Sequence, residues 1–246
     1  MKYLDDPHFL YDTYRSLKDW FKDYDEFIQY YNSLESDEAK NEFLRIGNSY
    51  LFFVKNGNWV VDVPRSNPDI DYFNNSYKLI GVIGLIESLS NEKYRDFHEW
   101  IVMRKNKIEF PIPNKAVLNT HYQNHKKEHG TIKKCLGFFE NLSDQTKREI
   151  YKLIKIGDDD IDNIKIFVEM LYAARSEFAH ESSMSLEIGD WFHFGQHKGK
   201  KVFWRQFKLK YLLAIFEEGV IFHFNKYTNR KLHIKGFKAD SRRLAV

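Results

Sequence analysis

Arg175 and His180 are the two residues whose types and spacing best fit chemistry, and they stand five positions apart in one largely apolar segment. A histidine titrates near neutral pH and can therefore transfer protons. An arginine presents several donors in a fixed fork to a developing negative charge. Ser176 follows the arginine and adds a hydroxyl. This set predicts proton transfer beside an anionic transition state.

The environment of Arg175 is unusual for an arginine. The segment predicts a helix over 161–180, and its apolar positions recur every three or four residues: Ile164, Val168, Leu171 and Phe178. Arg175 follows Leu171 by four positions and falls on the same stripe. Burying its charge alone would be costly, so an anionic partner or an interface is expected.

Glu87 is the candidate partner for this arginine. The run Leu79–Leu89 is apolar on nearly all sides and predicts a central buried helix, in which Glu87 is the only charged residue. We therefore expect Glu87 and Arg175 to form a charge-assisted pair inside a helical bundle. The alternative is that each side chain meets water or a different partner.

These residues resemble the motif of one protein family. Arg175-Ser176-x-x-x-His180, at the end of a helix that follows an acidic linker, resembles the Arg-polar-x-x-x-His motif of HEPN domains. The pair Leu171-Tyr172 and the helix with Ile86-Glu87-Ser88-Leu89 resemble the ApeA-like branch. The predicted helix order over about 76–225 is similar too, whereas residues 1–75 are not covered.

The resemblance implies a fold, an activity and partners. HEPN domains are helical bundles that pair through the face with this motif, and active members are metal-independent endoribonucleases of toxin–antitoxin and antiviral systems. It implies a homodimer with His180 as general acid or base, Arg175 stabilising the phosphate in the transition state, and Ser176 orienting the site. RNA and an antitoxin or other defence-system protein are the implied partners. The alternative is an inactive HEPN module that dimerises or binds a nucleotide or protein.

Helix geometry favours a shared site. Residues five apart on a regular helix point about 140° away from each other. Arg175 and His180 of one chain therefore converge only if the helix ends near His180, or if two chains contribute to one site.

Charge is distributed unevenly along the chain. Residues 198–246 hold 13 Lys/Arg and 3 Asp/Glu, so their net charge is +10, and the remaining 197 residues carry −7. A basic end suits a phosphate backbone. Lys226, Arg230 and Lys231 are candidate nucleic-acid contacts there. The alternatives are a solvated tail, or a nucleic-acid-binding protein that uses this tail without catalysis.

Other candidate sites have weaker support. His121, His125 and His129 recur every four residues and would share one helix face, where a transition metal is one reading and a frayed polar helix the other. No cofactor or metal is expected. Cys135 is expected to be a core residue, and one cysteine excludes an intrachain disulfide. With no signal peptide or membrane span predicted, a cytoplasmic location is expected.

The elements around these residues predict a mostly all-α fold. Helices are predicted over 7–31, 36–44, 77–101, 119–142, 146–156 and 203–225, with Ser143 as an N-cap. Three aspartates at 158–160 suit the start of the helix over 161–180. Asn56-Gly57-Asn58 between two apolar runs predicts a β-hairpin over 50–63. We expect a HEPN-like antiparallel bundle over 76–246, preceded by an extension of helices and the hairpin over 1–75.

Overall fold

Helices make up most of the molecule. The computed structural model describes residues 3–58, 67–89, 95–182, 188–189, 193–197, 199–205 and 207–229. The mostly helical fold class is confirmed, and a small four-stranded antiparallel sheet accompanies the helices. The α-helices are α1 (Pro7–Leu17), α2 (Tyr24–Asn32), α3 (Asp37–Tyr50), α4 (Asn67–Ser88), α5 (Phe97–Ile101), α6 (Lys115–His129), α7 (Thr131–Glu140), α8 (Asp144–Lys152), α9 (Ile164–Glu181) and α10 (Leu209–Phe224).

Short polar side chains determine where several helices begin. Each of these N-cap side chains accepts a hydrogen bond from a backbone N–H of the first turn: Asp6, Asp23, Ser36, Asn114, Ser143 and Asn163. Such a cap contributes about 1 kcal/mol, because it pairs a donor that the helix itself leaves unpaired. The predicted cap at Ser143 is confirmed.

The first strand predicted for the β-hairpin is wrong. α3 runs to Tyr50 and continues into a π-helical turn over Leu51–Lys55, in which Asn56 N–H donates to the carbonyl of Leu51. Burial explains the difference: Tyr50, Leu51 and Val54 reach the core on one helical face, and packing overrides strand propensity. A Cβ on Gly57 would lie 2.6 Å from the carbonyl oxygen of Phe52, so Gly57 closes a helix end. Residues 59–63 lie outside the described residues.

The proposed division of the chain at residue 75 falls within α4. Its helical residues before and after that position are continuous. One hydrophobic cluster also joins the two segments: Phe43 and Tyr50 belong to it together with Phe216 and Phe224. The first segment therefore shares its core with the second.

A buried carboxylate fastens this packing. Glu217 in α10 is 5% exposed and accepts hydrogen bonds from Tyr50 Oη at 2.6 Å, Lys55 Nζ at 2.8 Å and Trp20 Nε1 at 2.9 Å. Burial and the Glu217 charge raise the pKa of Tyr50 well above its usual value, so the hydroxyl remains a donor. The three donors offset the desolvation of the carboxylate.

A second carboxylate of α10 binds the start of α8. Glu218 is fully buried and accepts from Ser143 N–H at 2.9 Å and from the Thr146 hydroxyl at 2.6 Å. A helix N-terminus presents unpaired N–H groups and a partial positive charge, which stabilise a carboxylate there. The two acids inside the apolar sequence of α10 are thus both hydrogen-bonded.

The sheet corrects three predicted helix boundaries. The helix predicted over 146–156 ends at Lys152, because residues 154–156 form a strand. Its strands are β1 (Ile154–Ile156), β2 (Asp159–Asp160), β3 (His193–His197) and β4 (Lys200–Trp204), in the order β2-β1-β4-β3. The aspartates lie in a β-hairpin rather than at a helix start, and the last helix begins at Leu209 instead of residue 203. Val202 and Trp204 are two residues apart and so lie on the same face of the strand. Both are 1% exposed, and this spacing of buried residues favours a strand there.

Candidate functional site

α9 carries the whole predicted motif in regular helix. Asn163 caps its start, since its side chain accepts from Lys165 N–H at 2.8 Å. The helix ends one residue beyond His180, where Ser182 adopts a left-handed conformation and donates its N–H to the carbonyl of Phe178. Phe178 is buried, as the apolar stripe predicts. The helix therefore fixes the relative direction of all three candidate side chains.

Arg175 is half-buried and keeps part of its donor capacity unused. Its Nε is buried without a hydrogen-bond partner in the structure. The guanidinium carbon lies 5.6 Å from the ring centroid of Tyr172, one turn earlier in α9. This cation–π interaction keeps the Arg175 side chain against its own helix. An arginine in this setting retains donors for an anion.

Glu87 lies near Arg175 but does not bind it directly. In the described part of the chain the two side chains form no hydrogen bond or ion pair with each other. Glu87 Oε1 is itself buried without a partner. Both charges act on Cys135, since α4, α7 and α9 pack against one another. The expected direct pair is thus replaced by two separate groups that both act on Cys135.

Cys135 is a core residue, as predicted. It is fully buried and forms no disulfide. Burial and the Glu87 charge raise the pKa of its thiol to about 12, although Arg175 and Lys134 act in the opposite direction. A thiol with such a pKa is protonated at neutral pH and is a poor nucleophile.

His180 and Arg175 lie on different faces of α9. His180 is exposed, Ser176 is half-buried and Arg175 turns toward α4 and α7. The separation of five residues corresponds to about 140° around the helix axis. Within one chain, therefore, the structure does not bring the imidazole and the guanidinium to one point.

An aromatic surface flanks the motif. Phe178 packs edge-on against Tyr77, with 5.3 Å between ring centroids, and lies 6.0 Å from Phe73. Phe73 and Tyr77 are 40% and 43% exposed. Large aromatic side chains with this exposure are typical of contact surfaces. The face formed by α4 and α9 thus presents apolar area on the side of α9 that carries Phe178.

Lys226 is the one candidate nucleic-acid contact among the described residues, because Arg230 and Lys231 lie outside them. It lines a cleft of about 490 Å³ between α7 and the end of α10. Lys133, Lys134 and His223 line the same cleft. Sequence reasoning missed these three, because Lys133 and Lys134 lie about 90 positions before His223 and only tertiary packing brings them together.

The three histidines of α6 do not form a complete metal site. His125 is 6% exposed, and its Nε2 donates to the carbonyl of Arg95 at 2.7 Å. His125 Nδ1 and His129 Nε2 are buried without hydrogen-bond partners, and His129 Nε2 lies 3.8 Å from Glu128 Oε2. The two ring centroids are 5.6 Å apart. Burial lowers the pKa of His129. Across the described residues, no group of three or more His, Cys, Asp or Glu side chains is arranged to hold a metal ion.

Comparisons with protein-family models, with curated proteins and with solved structures found no significant match. Among the helices that the structure describes, none is both long and apolar enough to cross a membrane.

Proposed function

We propose that this protein is a metal-independent endoribonuclease of the HEPN type that acts as a homodimer in a toxin–antitoxin or antiviral system. The observation that carries the proposal is the state of Arg175: the side chain is half-buried, its Nε has no hydrogen-bond partner, and no carboxylate among the described residues forms an ion pair with it. A half-buried arginine charge is costly unless an anion binds it. A phosphate is the anion that a guanidinium fork fits best.

RNA supplies its own nucleophile for this reaction. The 2′-oxygen attacks the adjacent phosphorus and loses its proton to a base, and the bond to the 5′-oxygen breaks as that oxygen gains a proton. The products are a 2′,3′-cyclic phosphate and a 5′-hydroxyl. His180 performs proton transfer, because its imidazole is exposed and carries nitrogens that can accept and donate a proton. Arg175 stabilises the anionic phosphorane, and Ser176 orients the phosphate.

A dimer supplies the geometry that one chain lacks. Arg175 and His180 point about 140° apart in α9, so a site with both needs contributions from two copies. The exposed aromatic rings of Phe73 and Tyr77 lie beside this helix and support pairing through the same face. By the resemblance, an antitoxin or another defence-system protein is its partner, and the proposed location is cytoplasmic.

The experiment is incubation of purified protein with mixed cellular RNA in excess EDTA. We expect cleavage by the wild type and loss of cleavage, with unchanged circular dichroism, in Arg175→Ala and His180→Asn. His98→Asn is the matched control, since His98 is also an exposed helical histidine. Full activity in the Arg175→Ala, His180→Asn double variant would refute the proposal.

A second experiment tests the shared site. Sedimentation should give a dimer for the wild type and a monomer for Tyr77→Glu, with cleavage lost in parallel. Tyr11→Glu is the control, because Tyr11 is 55% exposed on α1. Cleavage by a fully monomeric variant would contradict a site built from two chains.

The separation of Arg175 and His180 in one chain favours one alternative, an inactive HEPN module that dimerises or binds a nucleotide or protein. A dimer that cleaves no RNA in EDTA, with or without these substitutions, would support this alternative.

A further inference from the structure

The cleft of about 490 Å³ does not include the motif residues, and its lining holds both apolar and basic side chains. Its volume is within the range of about 300–1,000 Å³ that small-ligand sites occupy. Ile86, Leu89 and Leu136 contribute apolar surface, and Tyr227 contributes a half-buried aromatic ring. Aromatic rings of this kind stack on nucleic-acid bases without strong sequence preference.

Basic residues also line the cleft. Lys133, Lys134 and Lys226 line the cleft, with Glu140 as the acidic side chain among its lining residues. Burial and the Lys226 charge lower the pKa of His223 to about 4, with Glu42 acting in the opposite direction, so the imidazole is neutral at pH 7. The cleft therefore carries a net positive charge from its lysines, together with a neutral ring that can both donate and accept hydrogen bonds.

Gly137 leaves room for a ligand in the cleft. It lies in the interior of α7 and lines the cleft, and a Cβ built on it would meet no atom within 4 Å. Glycine destabilises a helix interior by about 1 kcal/mol relative to alanine, and packing among the described residues does not require it here. A missing side chain at this position keeps the cleft open and allows a ligand to approach the helix backbone.

We propose that this cleft binds one nucleotide unit, with its phosphate on the lysine side chains and its base against the ring of Tyr227. The unit comes either from a free mononucleotide or from one residue of an RNA strand. This site is separate from Arg175 and His180, and binding here does not depend on whether those residues cleave RNA.

Titration calorimetry of the full-length protein in EDTA tests the proposal, with AMP, UMP, inorganic phosphate and a short RNA that carries a non-cleavable 2′-O-methyl backbone. We expect AMP or the RNA to bind at least about tenfold more tightly than inorganic phosphate, since the base adds stacking. Binding of AMP would identify a free nucleotide as a sufficient ligand, and binding of the RNA alone would identify a strand. Equal binding of phosphate and nucleotides, or no binding of any probe, would overturn the proposal.

Two variants identify the cleft as the location. Gly137→Leu fills it and should abolish binding, whereas Gly84→Leu, at another open helical glycine, should not. Paired Lys134→Gln and Lys226→Gln should weaken binding at least about tenfold. The control is paired Lys152→Gln and Lys165→Gln, which removes the same charge from exposed lysines elsewhere. Unchanged affinity in a folded Gly137→Leu protein would exclude this cleft.

The test also separates this site from the proposed nuclease. Arg175→Ala should keep wild-type affinity for the nucleotide while it loses cleavage. Loss of nucleotide affinity in Arg175→Ala would contradict the separation of the two sites.

Discussion

Gly219 of α10 faces the ring of Phe138 in α7, and replacing it with alanine tests that packing directly. A Cβ at this position would lie 2.2 Å from Cζ and 2.3 Å from Cε1 of Phe138. Carbon atoms in contact are normally about 3.5–4.0 Å apart, so the ring must move by more than 1 Å. Phe138 is only 7% exposed and stacks on Phe216, with 5.9 Å between centroids, which leaves it little space to move.

The expected magnitude follows from two opposing terms. Overpacking of a well-filled core costs about 1–3 kcal/mol, and this contact falls at the upper end because two ring atoms are involved. Replacing glycine with alanine in a helix interior stabilises by about 1 kcal/mol. We therefore expect Gly219→Ala to lower the free energy of unfolding by about 2 kcal/mol, or roughly 4–8 °C in Tm for a chain of this size.

Urea denaturation followed by circular dichroism measures this change. Gly84→Ala and Gly137→Ala are the controls, because a Cβ at either position meets no atom within 4 Å, and each should stabilise by about 0.5–1 kcal/mol. Phe138→Leu should partly rescue Gly219→Ala, with a coupling above about 1 kcal/mol in the double-mutant cycle. A Gly219→Ala protein as stable as the controls would refute the close approach of α7 and α10.

Three further changes concern the buried polar groups. Glu218→Gln should destabilise by about 1–3 kcal/mol in urea denaturation, since the carboxylate accepts from Ser143 N–H at a helix start; an unchanged midpoint would contradict this role. Tyr50→Phe should cost about 1–2 kcal/mol, because its hydroxyl donates to Glu217 at 2.6 Å, and stability equal to wild type would argue against that hydrogen bond. The pKa of His223 is about 4 in the folded protein and 6.5 in the unfolded chain. The contribution of the neutral imidazole to the free energy of unfolding is therefore complete above pH 6.5 and is lost as pH falls toward 4. Between pH 7 and 4, the His223→Gln protein should therefore lose about 3 kcal/mol less stability than the wild type. If stability falls equally with pH in the variant and the wild type, protonation of His223 is not the cause.

The sequence determined the features that depend on neighbouring residues. Helical periodicity placed Phe178 on a buried stripe, and short polar residues such as Ser143 fixed helix starts. The apolar setting of Cys135 was also evident, because its neighbours along one helix already form an apolar face. These interactions span three or four residues, so one segment contains the information for them.

Only the tertiary structure decided features that join distant segments. The run from Tyr50 to Lys55 has strand-forming residues, yet packing on α1 and α4 keeps it helical. β1 pairs with a strand about 50 residues later, and no local pattern specifies that partner. Glu87 and Arg175 both act on the thiol of Cys135 without a direct bond to each other. Lys134 and Lys226, from distant parts of the chain, line the same cleft. Such contacts depend on how side chains from separate helices fill a shared space, which periodicity along a single helix does not specify.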